Sequence, residues 1–148
     1  MTSTQQDEDC ESVIYGKEHS KSVLQQIVIY QVPFVVYASL IFIVSSFSKL
    51  PTPDLGLTFA DKIIHLIEYG LFSLLALRGL LHPPVCLSTA IAYSLAIGIT
   101  VIYAALDEYH QSFVPGRNAD AFDVLADIFG AILALLIYHI VKRRRDMS

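Results

Sequence analysis

The chain alternates between long apolar runs and short polar breaks, and each run has the length of a membrane crossing. From Leu24 to Phe47 three residues in four are apolar. A helix rises about 1.5 Å per residue, so about 20 such residues cross a hydrocarbon core roughly 30 Å thick. Pro33 lies in the first half of this run and predicts a kink, with neighbouring helices covering the carbonyl it frees. Ser45, Ser46, Ser48 and Lys49, followed by Pro51 and Pro53, close the run, because a proline disfavours helical geometry in the residue before it. A second run starts between Phe59 and Asp61, with Thr58 or Asp61 as its cap, and ends at Leu81 before the hard turn His82-Pro83-Pro84. A third extends from Val85 to Asp107 or slightly beyond, with Gly98 and several alanines suited to close helix packing. After Val114-Pro115-Gly116, a fourth begins between Asn118 and Asp120 and ends at Lys142. The expected fold is all-α: a polytopic membrane protein built as a four-transmembrane-helix bundle over residues 23–142. Residues 1–22 read as a flexible cytoplasmic tail and residues 143–148 as a basic cytoplasmic one.

Composition supports the membrane reading. The chain is 54% hydrophobic and only 16% charged, where ordinary soluble domains carry about a quarter charged residues. A net charge of −4, without a basic stripe interleaved with aromatics, argues against nucleic acid as a partner and leaves the lipid bilayer. Four crossings put both termini on one side, with Lys17, Lys21, Arg78, Lys142, Arg143, Arg144 and Arg145 beside them. Only Lys49, Lys62 and Arg117 lie opposite. Basic residues accumulate on the cytoplasmic side, so both termini are expected in the cytoplasm and the stretches 49–69 and 107–127 outside. The acidic N-terminus lacks the basic segment of a secretory signal. Cys10 and Cys86 form no metal or redox spacing and are expected as unlinked, inert thiols.

Chemistry that hydrocarbon cannot do is concentrated in the two outward stretches. Asp61, His65, Glu68, Tyr69 and Phe72 fall on one face of the second helix. Asp107, His110 and Gln111 share a face of the third, with Glu108 beside it, and Asp120, Asp123 and Asp127 form a stripe on the fourth that Gly130 continues. Arg117 lies between the two helices. Bland roles exist for many of these. Asp120 and Asp123 suit a helix first turn, Arg117 a loop pair, His65 a structural hydrogen bond, and the tyrosines the membrane interface. Asp127 and Glu68 are different. They lie deep enough that an ionised carboxylate costs at least ~2.5–3.5 kcal/mol to insert, so each should be paired, protonated or functional. The outward side carries Asp54, Asp61, Glu68, Asp107, Glu108, Asp120, Asp123 and Asp127 against three bases. That sign suits a proton, a cationic ligand or a divalent metal such as Mg²⁺, Mn²⁺ or Zn²⁺ better than a bare anion. No short metal-ligand motif such as HExxH is present.

The segment DKIIHLIEYGLFSLL resembles the D-K-x-x-H-x-x-x-Y stretch of the VanZ-like family of bacterial membrane proteins. LDEYHQSFVPGRNADAFDVLADIFGA is similar to that family's D-E-x-x-Q-x-F-x-P-G-R and following D-x-x-x-N and G. The Ser45-Ser46 pair ahead of Pro51 adds to the likeness, which covers roughly residues 35–140. The resemblance marks Asp61, Lys62, His65, Tyr69, Asp107, Glu108, Gln111, Pro115, Gly116, Arg117 and Asp123 as motif positions. Asp127 departs from it, standing where the family usually has Asn. The resemblance implies a four-helix envelope protein of the inner membrane, in a family whose namesake is associated with low-level teicoplanin resistance. Three activities are expected to compete. The chain binds or acts on a cell-envelope component; or it is a membrane hydrolase or transferase for a lipid-linked substrate; or it is a non-catalytic assembly subunit whose acids hold helices together. The candidate site residues are Asp61, His65, Glu68, Asp107, Glu108, His110, Gln111, Arg117, Asp123 and Asp127, with no cofactor-binding residue assigned and a divalent metal as the one cofactor considered.

Overall fold

The computed structural model describes residues 10–11, 22–47, 60–117 and 120–147, with only the backbone at 60 and 61. Its helices are α1 (Val23–Tyr30), α2 (Val32–Ser45), α3 (Ala60–Leu81), α4 (Thr89–Gln111) and α5 (Ala121–Asp146). No strand occurs among the described residues. Four segments are long and apolar enough to span a membrane: Val23–Ser45, Lys62–Leu81, Thr89–Gln111 and Ala121–Asp146. The protein is therefore an all-α multi-pass membrane protein.

The first crossing is interrupted as Pro33 predicts. Helix α1 ends at Tyr30 and α2 restarts so that Pro33 falls in its first turn, where the missing N–H would have no helical partner anyway. The polar covering runs opposite to expectation. Gln31, at the break, donates its Nε2 protons to the carbonyls of Gly79 at 3.0 Å and Pro83 at 3.2 Å. Gly79 lies in the last turn of α3, where a helix's final carbonyls lack partners, and Pro83 in the turn that follows it. His82 Nδ1 covers Arg78 O and the Leu87 amide covers Leu80 O, so that end is closed by three different segments. At the other end of the first crossing, Ser22 and Gln25 bond reciprocally as a capping box.

Three expectations are corrected. Helix α4 starts at Thr89, not Val85: the apolar pattern runs through 85–88, but Cys86 takes a left-handed φ of 49° that no helix continues. Helix α5 runs on to Asp146, so Arg143, Arg144 and Arg145 form its last turn instead of a separate tail, and they face the negative end of the helix dipole. Cys10 and Cys86 are joined as a disulfide, with Cα atoms 5.9 Å apart. A separation of 76 residues carries no local spacing by which sequence could pair them.

The interior is layered. One end is filled by Ala76, Leu77, Leu81, Ala92, Ala96 and Leu135. Above it lies an aromatic layer in which Phe72 meets Phe34 at 5.0 Å and Tyr103 at 4.7 Å, with Tyr69 beside it at 5.8 Å. Tyr69 and Phe72 are fully buried. They are core residues, and the expectation of tyrosines at the membrane interface fails here. Tyr37 and Tyr103 also point inward, donating to the carbonyls of Glu68 and Ala38. Above the aromatics α3 and α5 run parallel and nearly touch. A Cβ at Gly130 would overlap the Leu66 carbonyl, and one at Gly70 would stand 3.2 Å from Gly130 O. Small residues allow this approach where lipid supplies no hydrophobic force between helices.

Candidate functional site

A buried polar cluster is built where the starts of α3 and α5 meet the end of α4. Because α3 and α5 are parallel, residues a turn apart on one meet residues a turn apart on the other. Lys62 Nζ bonds Asp120 Oδ2 at 2.8 Å and Asp123 Oδ1 at 2.6 Å. One turn deeper, His65 Nδ1 meets Asp127 Oδ1 at 3.1 Å. One turn deeper again, Gly130 lies on the Leu66 backbone. The stripe Asp120, Asp123, Asp127 and Gly130 is thus one side of a ladder, and Lys62, His65 and Leu66 are the other.

Asp120 also caps α5. Its Oδ1 accepts from the Phe122 amide at 2.9 Å, satisfying one of the helix's unpaired donors. The Lys62 hydrogen bond, then the Phe122 amide, hold this carboxyl below its ordinary pKa. The N-termini of α3 and α5 both favour negative charge nearby, so their acids sit where dipoles stabilise them.

Helix α4 contributes acids against that rule. Asp107 and Glu108 occupy its last turns, where the dipole opposes carboxylates, and both are buried, with exposures of 6% and 5%. Some of that cost is offset locally. Gln111 Nε2 donates to Asp107 Oδ2 at 2.8 Å, and the Asp120 amide donates to Glu108 Oε2 at 2.8 Å, tying the end of α4 to the start of α5. Between them the turn closes as Val114-Pro115-Gly116-Arg117. The Arg117 amide bonds Val114 O at 3.1 Å, and Gly116 supplies the φ of 83° such a turn needs.

The offsets are incomplete. Asp107 Oδ1, Glu108 Oε1, Asp127 Oδ2 and the Tyr69 hydroxyl are buried without a hydrogen-bond partner. The Tyr69 hydroxyl rises from the aromatic layer into the field of Asp107, Asp127 and Glu68, with Asp107 close enough to attract its proton although outside strict hydrogen-bond geometry. Leaving a buried polar group unmatched costs about 1–3 kcal/mol, more when it is charged. All four belong to the polar end of the bundle.

Most of the expected residues converge. His65, Asp107, Glu108, Gln111, Asp123 and Asp127 line one polar interior, and Glu68 stands half-buried at its edge, within reach of the His65 charge. Arg117 makes no direct ion pair among the described residues, but its charge acts on Glu68 through space. His110 does not join them. Its Nε2 meets Ser46 Oγ at 3.0 Å and its ring lies 4.6 Å from Phe42, so it fastens α4 to α2. Positions i+3 and i+4 diverge just enough around the helix to send His110 and Gln111 to different neighbours. The side chain of Asp61 and the proposed Thr58 cap lie outside the described residues. Sequence reasoning undervalued Lys62, which a position near a helix start makes look solvated. Its signal was the spacing of three to His65, which puts both on the face turned to α5.

His65, Glu108 and Asp123 each offer a ligand atom within 4.8 Å of the others. This trio draws on all three helices. No curated protein and no solved structure matches the chain. The pattern of the VanZ/LLP1 family matches residues 11–142, which include every residue of this polar cluster, and the chain is a member of that family.

Proposed function

We propose that this pocket is the working site of the protein and that it binds or acts on a component of the bacterial cell envelope at the outer face of the cytoplasmic membrane. One observation carries the reading: buried carboxylates at the unfavourable end of α4, with unmatched oxygens facing the ladder between α3 and α5. Cohesion alone calls for neither. The excess of basic residues near the termini supports an outward pocket. The family resemblance makes teicoplanin susceptibility the first phenotype to examine. In cells that depend on the protein, Asp107→Asn, Glu108→Gln or Arg117→Ala should abolish that phenotype while folded protein persists in the membrane. Variants that keep full activity at normal abundance refute the pocket. Cysteines placed at 61 and 117 should react with an impermeant thiol reagent added outside; labelling only from inside reverses the orientation.

A second reading is favoured by the His65–Asp127 contact. An ionised carboxylate only accepts, so His65 Nδ1 donates to Asp127, and whenever the ring is neutral its Nε2 carries the lone pair. An imidazole oriented in this way is equipped to take a proton from water or a hydroxyl, as a membrane hydrolase or transferase requires. Turnover of a lipid-linked phosphate that disappears in His65→Gln supports it; no turnover across a panel of such lipids counts against it. Under the non-catalytic alternative, Asp127→Asn and Glu68→Gln lose stability and activity in step.

A further inference from the structure

We propose that the pocket holds a divalent cation, with His65, Glu108 and Asp123 as ligands and Asp127 as the residue that positions His65. The proposal deepens the reading of this pocket as the working site and rests on it.

The donor set is suited to a cation. Glu108 is 5% exposed, and while its Oε2 is used by the Asp120 amide, its Oε1 is buried with no partner. That oxygen is a strong acceptor withheld from both water and protein. Asp123 spends one oxygen on Lys62, and its other stays available. His65 Nδ1 lies 3.1 Å from Asp127 Oδ1, and a neutral ring that donates there keeps the Nε2 lone pair for a cation. A carboxylate behind a ligating imidazole fixes its tautomer and raises its basicity. A point equidistant from atoms 4.8 Å apart lies about 2.8 Å from each. Bonds to nitrogen and oxygen of about 2.0–2.2 Å need each ligand to move less than an ångström, within reach of a rotamer adjustment.

Charge agrees. Two carboxylates neutralise a divalent ion, and the neutral imidazole adds none. Lys62 is the objection, since its ammonium touches Asp123. It is held by Asp120 as well, and that second carboxylate keeps it on the rim side of Asp123. One imidazole with carboxylate oxygens suits Mn²⁺ or Zn²⁺ better than Ca²⁺. A bound cation uses His65 Nε2 as a ligand and so excludes its use as a base, leaving Glu68 as the free acid or base at the edge.

The test uses the full chain in detergent, stripped with EDTA and titrated with Mn²⁺ under paramagnetic resonance. A single ion per chain should bind, with a nitrogen coupling from imidazole, and should raise the unfolding temperature. Glu108→Gln keeps an oxygen for the Asp120 amide, so its metal-free unfolding temperature should match the parent, while Mn²⁺ affinity falls about tenfold or more. Asp123→Asn should weaken binding similarly, and His65→Gln should remove the nitrogen coupling. No saturable binding up to about 1 mM Mn²⁺ overturns the proposal. So does binding that survives Glu108→Gln and Asp123→Asn together. If Mn²⁺ fails to bind but Asp107→Asn still abolishes the envelope phenotype, the cation is wrong and the working-site reading stands. If Mn²⁺ binds as expected and Asp107→Asn remains fully active, the cation is a brace and the working-site reading fails.

Discussion

The two halves of this bundle are held together by opposite means. Near the α3–α4 turn the interior is Ala76, Leu77, Leu81, Ala92, Ala96 and Leu135, matched by shape alone. At the other end the same α3, α4 and α5 enclose Lys62, His65, Asp107, Glu108, Asp123 and Asp127, matched by charge and hydrogen bonds and left partly unmatched. Lipid is as apolar as leucine, so the first half gains only packing when it assembles. The second must also neutralise what it buries. A chain that needed only to assemble would have little reason to make the two ends so different, and that difference supports the proposal of a working site at the polar one.

Substitutions should break this contrast in a defined order. The largest effect is expected at the seam. Gly130→Val forces α5 away from the Leu66 carbonyl and should cost more than about 3 kcal/mol, read as loss of folded protein in the membrane. His65→Ala comes next. It strands Asp127, which is 1% exposed, and breaking a buried pair by removing one partner costs about 3–5 kcal/mol by denaturant titration. Asp127→Asn should cost clearly less, because the amide oxygen still accepts from His65; equal losses would mean that shape, not charge, governs this end as well. In the apolar half, Leu77→Ala should cost about 1–3 kcal/mol, since it loses contacts but no hydrophobic transfer. It should leave the activity of surviving protein unchanged. Arg117→Ala should be smallest in stability, within about 0.5 kcal/mol, yet among the most damaging to function. A stability loss as large as that of Leu77→Ala would make Arg117 a structural residue.

What the sequence disclosed divides along the same line. The crossings were legible because apolar runs have to match a bilayer thickness, and the Pro33 break because a ring on nitrogen cannot be hidden in a pattern. The Asp120–Asp123–Asp127–Gly130 stripe was legible from helical spacing, and its sharing one end of the bundle with His65 from the order of the crossings, whereas the His65–Asp127 pairing itself shows only in the fold. Spacing says which residues share a face but not which helix that face meets. For that reason His110 was grouped with Gln111, although it turns to Ser46 and Phe42. For the same reason Lys62, the direct partner of two acids, was read as a motif position and a charge on the outer side. The start of α4 was misplaced because hydrophobicity continues through Val85 and Leu87 while the backbone at Cys86 does not. Tyr69 was divided between anchor and site, and only packing decides that it is a buried wall between the aromatic layer and the acids.

The Cys10–Cys86 bond ties the N-terminal segment to the α3–α4 turn, at the end of the bundle away from the pocket. Disulfides persist in oxidising compartments and are reduced in the cytoplasm. The excess of basic residues, by contrast, is the argument for the proposed cytoplasmic placement of that same end. The cysteine pair is therefore a compass. A bond found intact in freshly lysed, alkylated cells means that the terminal end faces out and the pocket faces in, whereas two free thiols mean the reverse. A single non-reducing gel thus decides whether the acids of this protein meet the envelope or the cell interior.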